Sequence, residues 1–346
     1  MDFTIGQQTL SEALNNLYRN TNDKFEAYGD IQIEVIDENS IRLMANNGIN
    51  KLEYTLEARS ASGTPILVNA KRFTDIINKL KGIITFHTNI IVCEKTKIKI
   101  DYKDGAIITP INTDNIEGCQ LSLQSFKSVL KNRLYASDMK SEHSVLANLF
   151  VDENKIAATN GNVLSVGEFE TPVDKSFLLS QSLSKEILTD FKDDETVNIS
   201  VSDKTVIIWN DKLKIESNLW EGQFPPYQQL IPAIKENLIK IDKAELINKL
   251  EIMSIVVEFS RPVIKMIFKN NELTLEHKEG KTVMNIENYP SEEPFEIFFN
   301  LHYLLSALKN TNDDTVELQL GDDSLRPIII KGSNDLHLIM PVQIRA

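Results

Sequence analysis

The residues of this chain best equipped for chemistry are its clustered carboxylates, Asp193-Asp194-Glu195, Asp313-Asp314 and Asp322-Asp323. Paired carboxylates can share a proton in acid–base catalysis or hold a hard cation such as Mg²⁺. Each cluster here lies in a polar, turn-like stretch, where acids serve as solvated loop charges. The histidines His87, His143, His277, His302 and His337 are scattered, with no pair at metal-ligand spacing. Cys93 and Cys119 form no CxxC motif. Phosphate-binding glycine loops, HExxH and GxSxG are all missing. The expectation is a non-catalytic scaffold or binding protein with no cofactor and no metal. An enzyme with a scattered active site is the alternative.

Length and composition set the frame for that scaffold. At 346 residues the chain exceeds one ordinary core and fits two or three domains. With 42% hydrophobic and 25% charged residues it reads as a soluble globular protein. Apolar runs such as Ile328-Ile329-Ile330 are far too short to span a bilayer, so no membrane role is expected. The start Met1-Asp2-Phe3-Thr4-Ile5 lacks the pattern of a signal peptide, and two cysteines suit a reducing, cytoplasmic setting without a disulfide. A net charge of -13 argues against nucleic acid unless the basic residues are segregated onto one surface.

The elements repeat. Leu10, Ala13, Leu14 and Leu17 mark one helical face; Phe126, Val129, Leu130 and Leu134 mark a second; Leu246, Leu250 and Met253 mark a third. From Leu10 to Phe126 to Leu246 the steps are 116 and 120 residues. Each helix follows a short strand: Phe3–Ile5, Cys119–Leu121 and Leu238–Ile241. A second helix set begins after Val68-Asn69, Leu179-Ser180 and Phe299-Asn300, where Asn or Ser can cap it, with steps of 111 and 120 residues. Six elements in one order predict three repeated domains, 1–116, 117–235 and 236–346.

Four segments then resemble one family, the bacterial DNA sliding clamp, or β subunit of DNA polymerase III. They are Ala158-Thr159-Asn160-Gly161-Asn162-Val163-Leu164, Glu221-Gly222-Gln223-Phe224-Pro225-Pro226-Tyr227, Phe299-Asn300-Leu301-His302-Tyr303-Leu304-Leu305 and the closing Leu336-His337-Leu338-Ile339-Met340-Pro341. The resemblance covers the whole chain, although the first domain is matched mainly by pattern. It implies an α+β fold of three repeated clamp domains, each with two helices and two antiparallel sheets, forming a ring as a head-to-tail dimer. It also implies a processivity factor that encircles double-stranded DNA without sequence preference and tethers the polymerase.

In that family a pocket between the second and third domains receives a short apolar motif. The implied partners are the DNA polymerase III alpha subunit, the clamp loader and other clamp-binding-motif proteins. By motif, its wall would be Leu146, Thr159, Gly161, Val163, Leu164, Pro225, Gln229 and Leu230, joined by Leu325, Pro327, Leu338, Met340 and Pro341. Taken singly, Leu164, Leu230 and Leu338 read equally well as core, and Gly161 as a turn residue. The chain departs from the pattern at Asn162 and Val163, where His and Arg are usual, and at Gln229, often basic. A less cationic pocket is expected.

For DNA, the candidates are Lys71, Arg72, Lys127, Lys131, Lys140, Lys243, Lys249 and Lys309, contacting phosphates weakly so that the ring can slide. Each alone also reads as a solvated surface charge. Alternating Ile98-Lys99-Ile100 looks like an edge strand for closing the homodimer, with Ile255, placed just after the third-domain helix, packed beside it. Two rivals remain: a mobile-element or phage clamp paralogue with restricted partners, and a non-encircling three-domain scaffold.

Overall fold

The computed structural model describes residues 1–346 except 23, 26, 27, 139–143, 259 and 344–346. One element order runs through the chain three times. The first passage is β1 (Asp2–Gly6), α1 (Gln7–Arg19), β2 (Asp30–Asp37), β3 (Ser40–Asn46), β4 (Asn50–Glu57), β5 (Arg59–Ser62), β6 (Ile66–Asn69), α2 (Ala70–Lys79), β7 (Ile83–His87), β8 (Ile90–Cys93), β9 (Thr96–Lys99) and β10 (Tyr102–Asp104). The second is β11 (Cys119–Ser122), α3 (Leu123–Arg133), β12 (Leu149–Asp152), β13 (Lys155–Thr159), β14 (Val163–Glu168), β15 (Phe177–Leu179), α4 (Gln181–Asp190), β16 (Thr196–Val201), β17 (Thr205–Trp209) and β18 (Leu213–Asn218). The third is β19 (Ile239–Asp242), α5 (Lys243–Val256), β20 (Val263–Lys269), β21 (Glu272–His277), β22 (Gly280–Asn285), β23 (Phe295–Asn300), α6 (Leu301–Lys309), β24 (Thr315–Gln319), β25 (Ile328–Lys331) and β26 (Asp335–Ile339). Apart from β5 and β10, the passages match element for element.

The helices form where apolar spacing and caps agree. Leu10, Ala13, Leu14 and Leu17 are all buried on α1, and Leu246, Leu250 and Met253 on α5. Asn69 Oδ1 accepts from the Arg72 amide at 3.0 Å and Asn300 Oδ1 from the His302 amide at 2.9 Å, satisfying free N–H groups at the starts of α2 and α6. One expected face is shorter than its spacing. α3 ends at Arg133, and Leu134 begins a single tighter turn, Leu134–Ala136.

The chain forms two compact units. The first holds Met1–Gln124, Val173–Lys175 and Ser182–Trp220. It contains a five-stranded sheet, β5-β1-β7-β8-β9, and a nine-stranded sheet, β10-β6-β2-β3-β4-β18-β17-β16-β11. The second holds Ser125–Pro172, Ser176–Gln181 and Glu221–Ala346. It contains an eight-stranded sheet, β15-β12-β13-β14-β26-β25-β24-β19, and a four-stranded sheet, β22-β21-β20-β23. All pairings are antiparallel in the two large sheets and in the two small ones.

Each large sheet is sewn from two successive passages. In the first unit β4 meets β18 with Leu52 opposite Ile215; in the second β14 meets β26 with Ser165 opposite His337. The two small sheets hold the remaining half-passages and end on β9 and β22. No helix among the described residues is long and apolar enough to cross a membrane.

Candidate functional site

Of the expected pocket residues, Leu146, Thr159, Leu164 and Leu338 meet within the second unit, around the seam between β14 and β26. Strand alternation decides which of them share a face. Leu164 and Leu338 are direct cross-strand partners. They pack with Ala157, Val166, Leu178, Phe224 and Tyr227 in one apolar cluster, edged by Leu146, Phe150 and Ile231. Thr159 pairs with Leu164 and so lies on the same face.

Val163 is a correction. It precedes Leu164 in β14 and pairs with Ile339, so its buried side chain points to the opposite face. It belongs behind the sheet, not in a groove on the front. Leu164 and Leu338 are themselves buried and supply the floor. Exposed apolar surface comes from Leu230 (54% exposed), Leu325 (58%) and Met340 (39%). Exposed large apolar side chains are the surface type that binds partners where they form a contiguous patch. Gly161 turns the β13–β14 hairpin at φ +84°, a conformation that side chains disfavour. The Met340 amide donates to the Asn162 carbonyl at 2.9 Å, holding the C-terminal segment against that turn. Pro327 and Pro341 are half-buried, and Gln229 is exposed. Pro225 is half-buried, and its carbonyl accepts from the Tyr227 amide at 2.6 Å.

Beneath the patch lie residues that sequence reasoning did not single out. Phe150 and Phe224 stack at 5.2 Å between ring centroids, and Tyr227 meets both edge-on at 6.3 Å. Burial pushes the Tyr227 hydroxyl up to about 12, with the Asp152 carboxylate adding to the effect. Gln228 Nε2 donates to the same carboxylate at 2.9 Å. Phe224 and Tyr227 stood inside a quoted motif; nothing local marked Phe150.

The rear face of the same seam is polar. His337 is fully buried, with Nδ1 at 2.7 Å from the Tyr135 hydroxyl and 2.9 Å from that of Ser165, and Nε2 at 3.1 Å from the Thr311 hydroxyl. Burial first, and then the Arg133 guanidinium, hold its imidazole well below the usual histidine range, so it stays neutral. Arg133 is buried too, donating to the Val166 carbonyl at 2.7 Å and the Asn310 carbonyl at 2.8 Å, and pairing with Asp335 at 2.8 Å.

The basic residues expected at DNA divide differently. Lys127 is only 6% exposed, because Leu123, Lys127 and Leu130 share one stripe of α3 and that stripe faces the core. It cannot be offered as a phosphate contact. Lys71 and Lys131 are exposed, and Lys249 is half-buried. Arg72 pairs with Asp101 at 3.2 Å and Lys309 with Glu251 at 2.7 Å, while Lys243 Nζ donates to the Thr311 carbonyl at 3.0 Å. Lys140 lies outside the described residues.

The expected ring-closing residues also separate. Ile98 is half-buried on β9, the last strand of its sheet, facing a groove lined by Lys71, Arg72, Asp75, Ile76 and Lys79 of α2. Ile100 follows β9 and is already buried inside the first unit, 3% exposed, so it offers no surface. Ile255 is 83% exposed, and it lies within α5 rather than after it. Counting from the caps Gly6 and Asp242, Ile255 occupies the position that Arg19 holds on α1. Arg19 crosses the β4–β18 seam to bind Thr189 and Asp190. In the third passage that position is left open to solvent.

Known proteins share this architecture. A family model described as DNA polymerase III beta subunit, C-terminal domain, matches residues 228–343. The beta sliding clamp of Synechococcus elongatus is 26% identical over 251 residues, 66% of each chain. That of Synechocystis is 22% identical over 390 residues, covering 99% of this chain and 100% of the relative. The crystal structure of the Pseudomonas aeruginosa DNA polymerase III subunit beta superposes with a TM-score of 0.89 at 16% identity, covering 99% of this chain and all of that one. A thrice-repeated α+β passage with sheets sewn across passages defines the class: a clamp-fold protein. Within that class its C-terminal third matches the DNA polymerase III beta subunit family model, and the chain as a whole is similar to bacterial beta sliding clamps.

Proposed function

We propose that the chain acts as a DNA sliding clamp that closes with a second copy, head to tail, around double-stranded DNA. The three passages are then its domains, 1–116, 117–235 and 236–346, and the protein is a non-catalytic tether in a reducing cytoplasm. The observation that carries this reading is the pair of unfinished small sheets. β9 occupies the place that β18 and β26 hold in the two sewn sheets, and β22 the place of β4 and β14. Joining β9 of one copy to β22 of the other would extend one sheet into the other, and two such joins close a dimer with neither of these two edges left over for a filament. Ile98 and Ile255 stand at that join.

Lys71, Arg72, Lys131, Lys243, Lys249 and Lys309 supply the candidate phosphate contacts, few enough for a clamp held by topology rather than by affinity. Leu230, Leu325 and Met340 over the Leu164–Leu338 floor receive a short apolar motif from the DNA polymerase III alpha subunit, the clamp loader and other motif-bearing proteins. Asn162 and Gln229 make that site less cationic, with Arg326 beside Leu325 as its near positive charge, which favours motifs anchored by apolar side chains.

The deciding experiment is mass in solution, followed by retention on nicked circular DNA before and after linearisation. A dimer near twice 39.3 kDa that is retained on circles and lost from linear DNA supports the reading. A monomer that is never retained removes it. For the pocket, Leu325→Ala and Met340→Ala should each weaken a partner peptide about fivefold to thirtyfold while leaving the dimer intact. Unchanged peptide titrations in both variants would discard the assignment.

A further inference from the structure

The two closed seams share one register, and that register can be carried to the open edges. The hairpins leading into β18 and β26 turn through two residues, Asp211-Lys212 and Ser333-Asn334, and the one into β9 turns through Glu94-Lys95. The hairpins into β4, β14 and β22 turn through Gly48-Ile49, Gly161-Asn162 and Lys278-Glu279. Counted from these turns, both closed seams place the third residue opposite the third: Ile215 with Leu52, and His337 with Ser165. They also place the fourth residue of the later strand opposite the second of the earlier one. In the first unit that pair is Glu216 and Lys51, an ion pair at 2.5 Å. In the second it is Leu338 and Leu164, an apolar contact.

At the open edges the same count sets Ile98 opposite the partner's Thr282, and Lys99 opposite the partner's Lys281. Lys97 falls on the same outer face, opposite the partner's Val283. Lys97, Lys99 and Lys281 are exposed, and among the described residues no ion pair to any of them is seen. Glu276, across from Lys281 on β21, offsets one of the three charges. Like charges directly opposite across a strand pair oppose pairing.

We infer that ring closure in this protein is held back by a lysine–lysine opposition, Lys99 against the partner's Lys281, at the position where the other two seams carry an attractive pair. The inference rests on the dimer reading above and adds its regulation: the ring is a self-limited assembly that salt, or an acid placed at this spot, tightens. Closure repeats the opposition at both joins, so each change counts twice.

Sedimentation of the full chain at low and moderate salt, with Lys99→Glu, Lys281→Glu and the turn control Lys95→Glu, tests it. Lys99→Glu recreates the Glu216–Lys51 pair and should tighten the dimer about tenfold at low salt. It does so while making an already acidic chain more acidic, so repulsion between whole molecules predicts the opposite sign. Lys281→Glu should tighten similarly, and Lys95→Glu should not tighten. Added salt should tighten the wild type and weaken the Lys99→Glu dimer, because screening removes repulsion in one and attraction in the other. A dimer that Lys99→Glu leaves unchanged or loosens overturns the inference and spares the ring. Absence of a dimer in every variant overturns the ring itself.

Discussion

Between β4 and β18 the first unit joins two passages with charge: Lys51 to Glu216, Lys214 to the buried Glu53, and Arg19 to Asp190 behind them. Between β14 and β26 the second unit makes the same join with an apolar front and a neutral histidine among three hydroxyls at the rear. The backbone register is the same in both. Strand alternation and two-residue hairpins set that register. Side-chain chemistry is therefore free to differ, and it gives the two seams different weaknesses.

The largest difference should appear on removing the arginine at each seam. Arg133→Ala strands the buried Asp335 carboxylate and two carbonyls, at a cost of about 3–5 kcal/mol. Arg19 is a third exposed, but the Asp190 side chain it pairs with is buried and keeps the Thr189 hydroxyl, so Arg19→Ala should cost about 1–3 kcal/mol, less than Arg133→Ala. Hydrogen exchange at β26 and β18 amides checks both values. Equal losses at the two seams would break the comparison.

pH should separate the seams in opposite directions. His337 is held below its ordinary value near 6.5, so in acid the unfolded chain binds a proton that the fold refuses. Stability of the second unit then falls as pH drops below about 6.5. Glu186, on α4 beside Asp190, is pushed up to about 8, mainly by burial and then by its contact with Asp190. There the fold keeps a proton that the unfolded chain has released. Stability of the first unit therefore falls as pH rises from about 4.5 towards 8 and levels off beyond. Glu186→Gln should abolish the alkaline loss alone. Both tryptophans, Trp209 and Trp220, lie in the first unit, so their fluorescence follows that arm. Exchange at Ser165 and His337 amides follows the other.

The smallest expected effect is the most direct link to the open edges. Glu216→Lys would place lysine opposite Lys51 and copy the Lys99–Lys281 opposition inside one chain. Denaturant titration should show a loss of about 0.5–1 kcal/mol. No loss would mean that such opposition is fully relieved by solvent, and the tuning of ring closure would fall with it.

The repeat, the helix faces and the capping asparagines were legible in the sequence because they depend on near neighbours. Leu10 to Leu17 announces its face through spacing alone, and Asn69 and Asn300 cap amides two or three residues away. Lys127 was misjudged because spacing shows where a stripe lies but not how wide the buried part is. Val163 was misassigned because its motif fixed its place in the chain and the strand's alternation fixed its face.

By itself, then, the sequence determined three passages of strand and helix, the absence of recognisable catalytic motifs and the motif segments that point to the clamp family. Local periodicity and capping need no distant partner. Only the tertiary structure decided which passage is sewn to which. It joins β14 to β26 across more than a hundred and fifty residues of chain, buries His337 at that join and leaves β9 and β22 each with one open edge. Pairing between strands so far apart depends on which edges the folded units bring within hydrogen-bonding reach, and no local pattern records that.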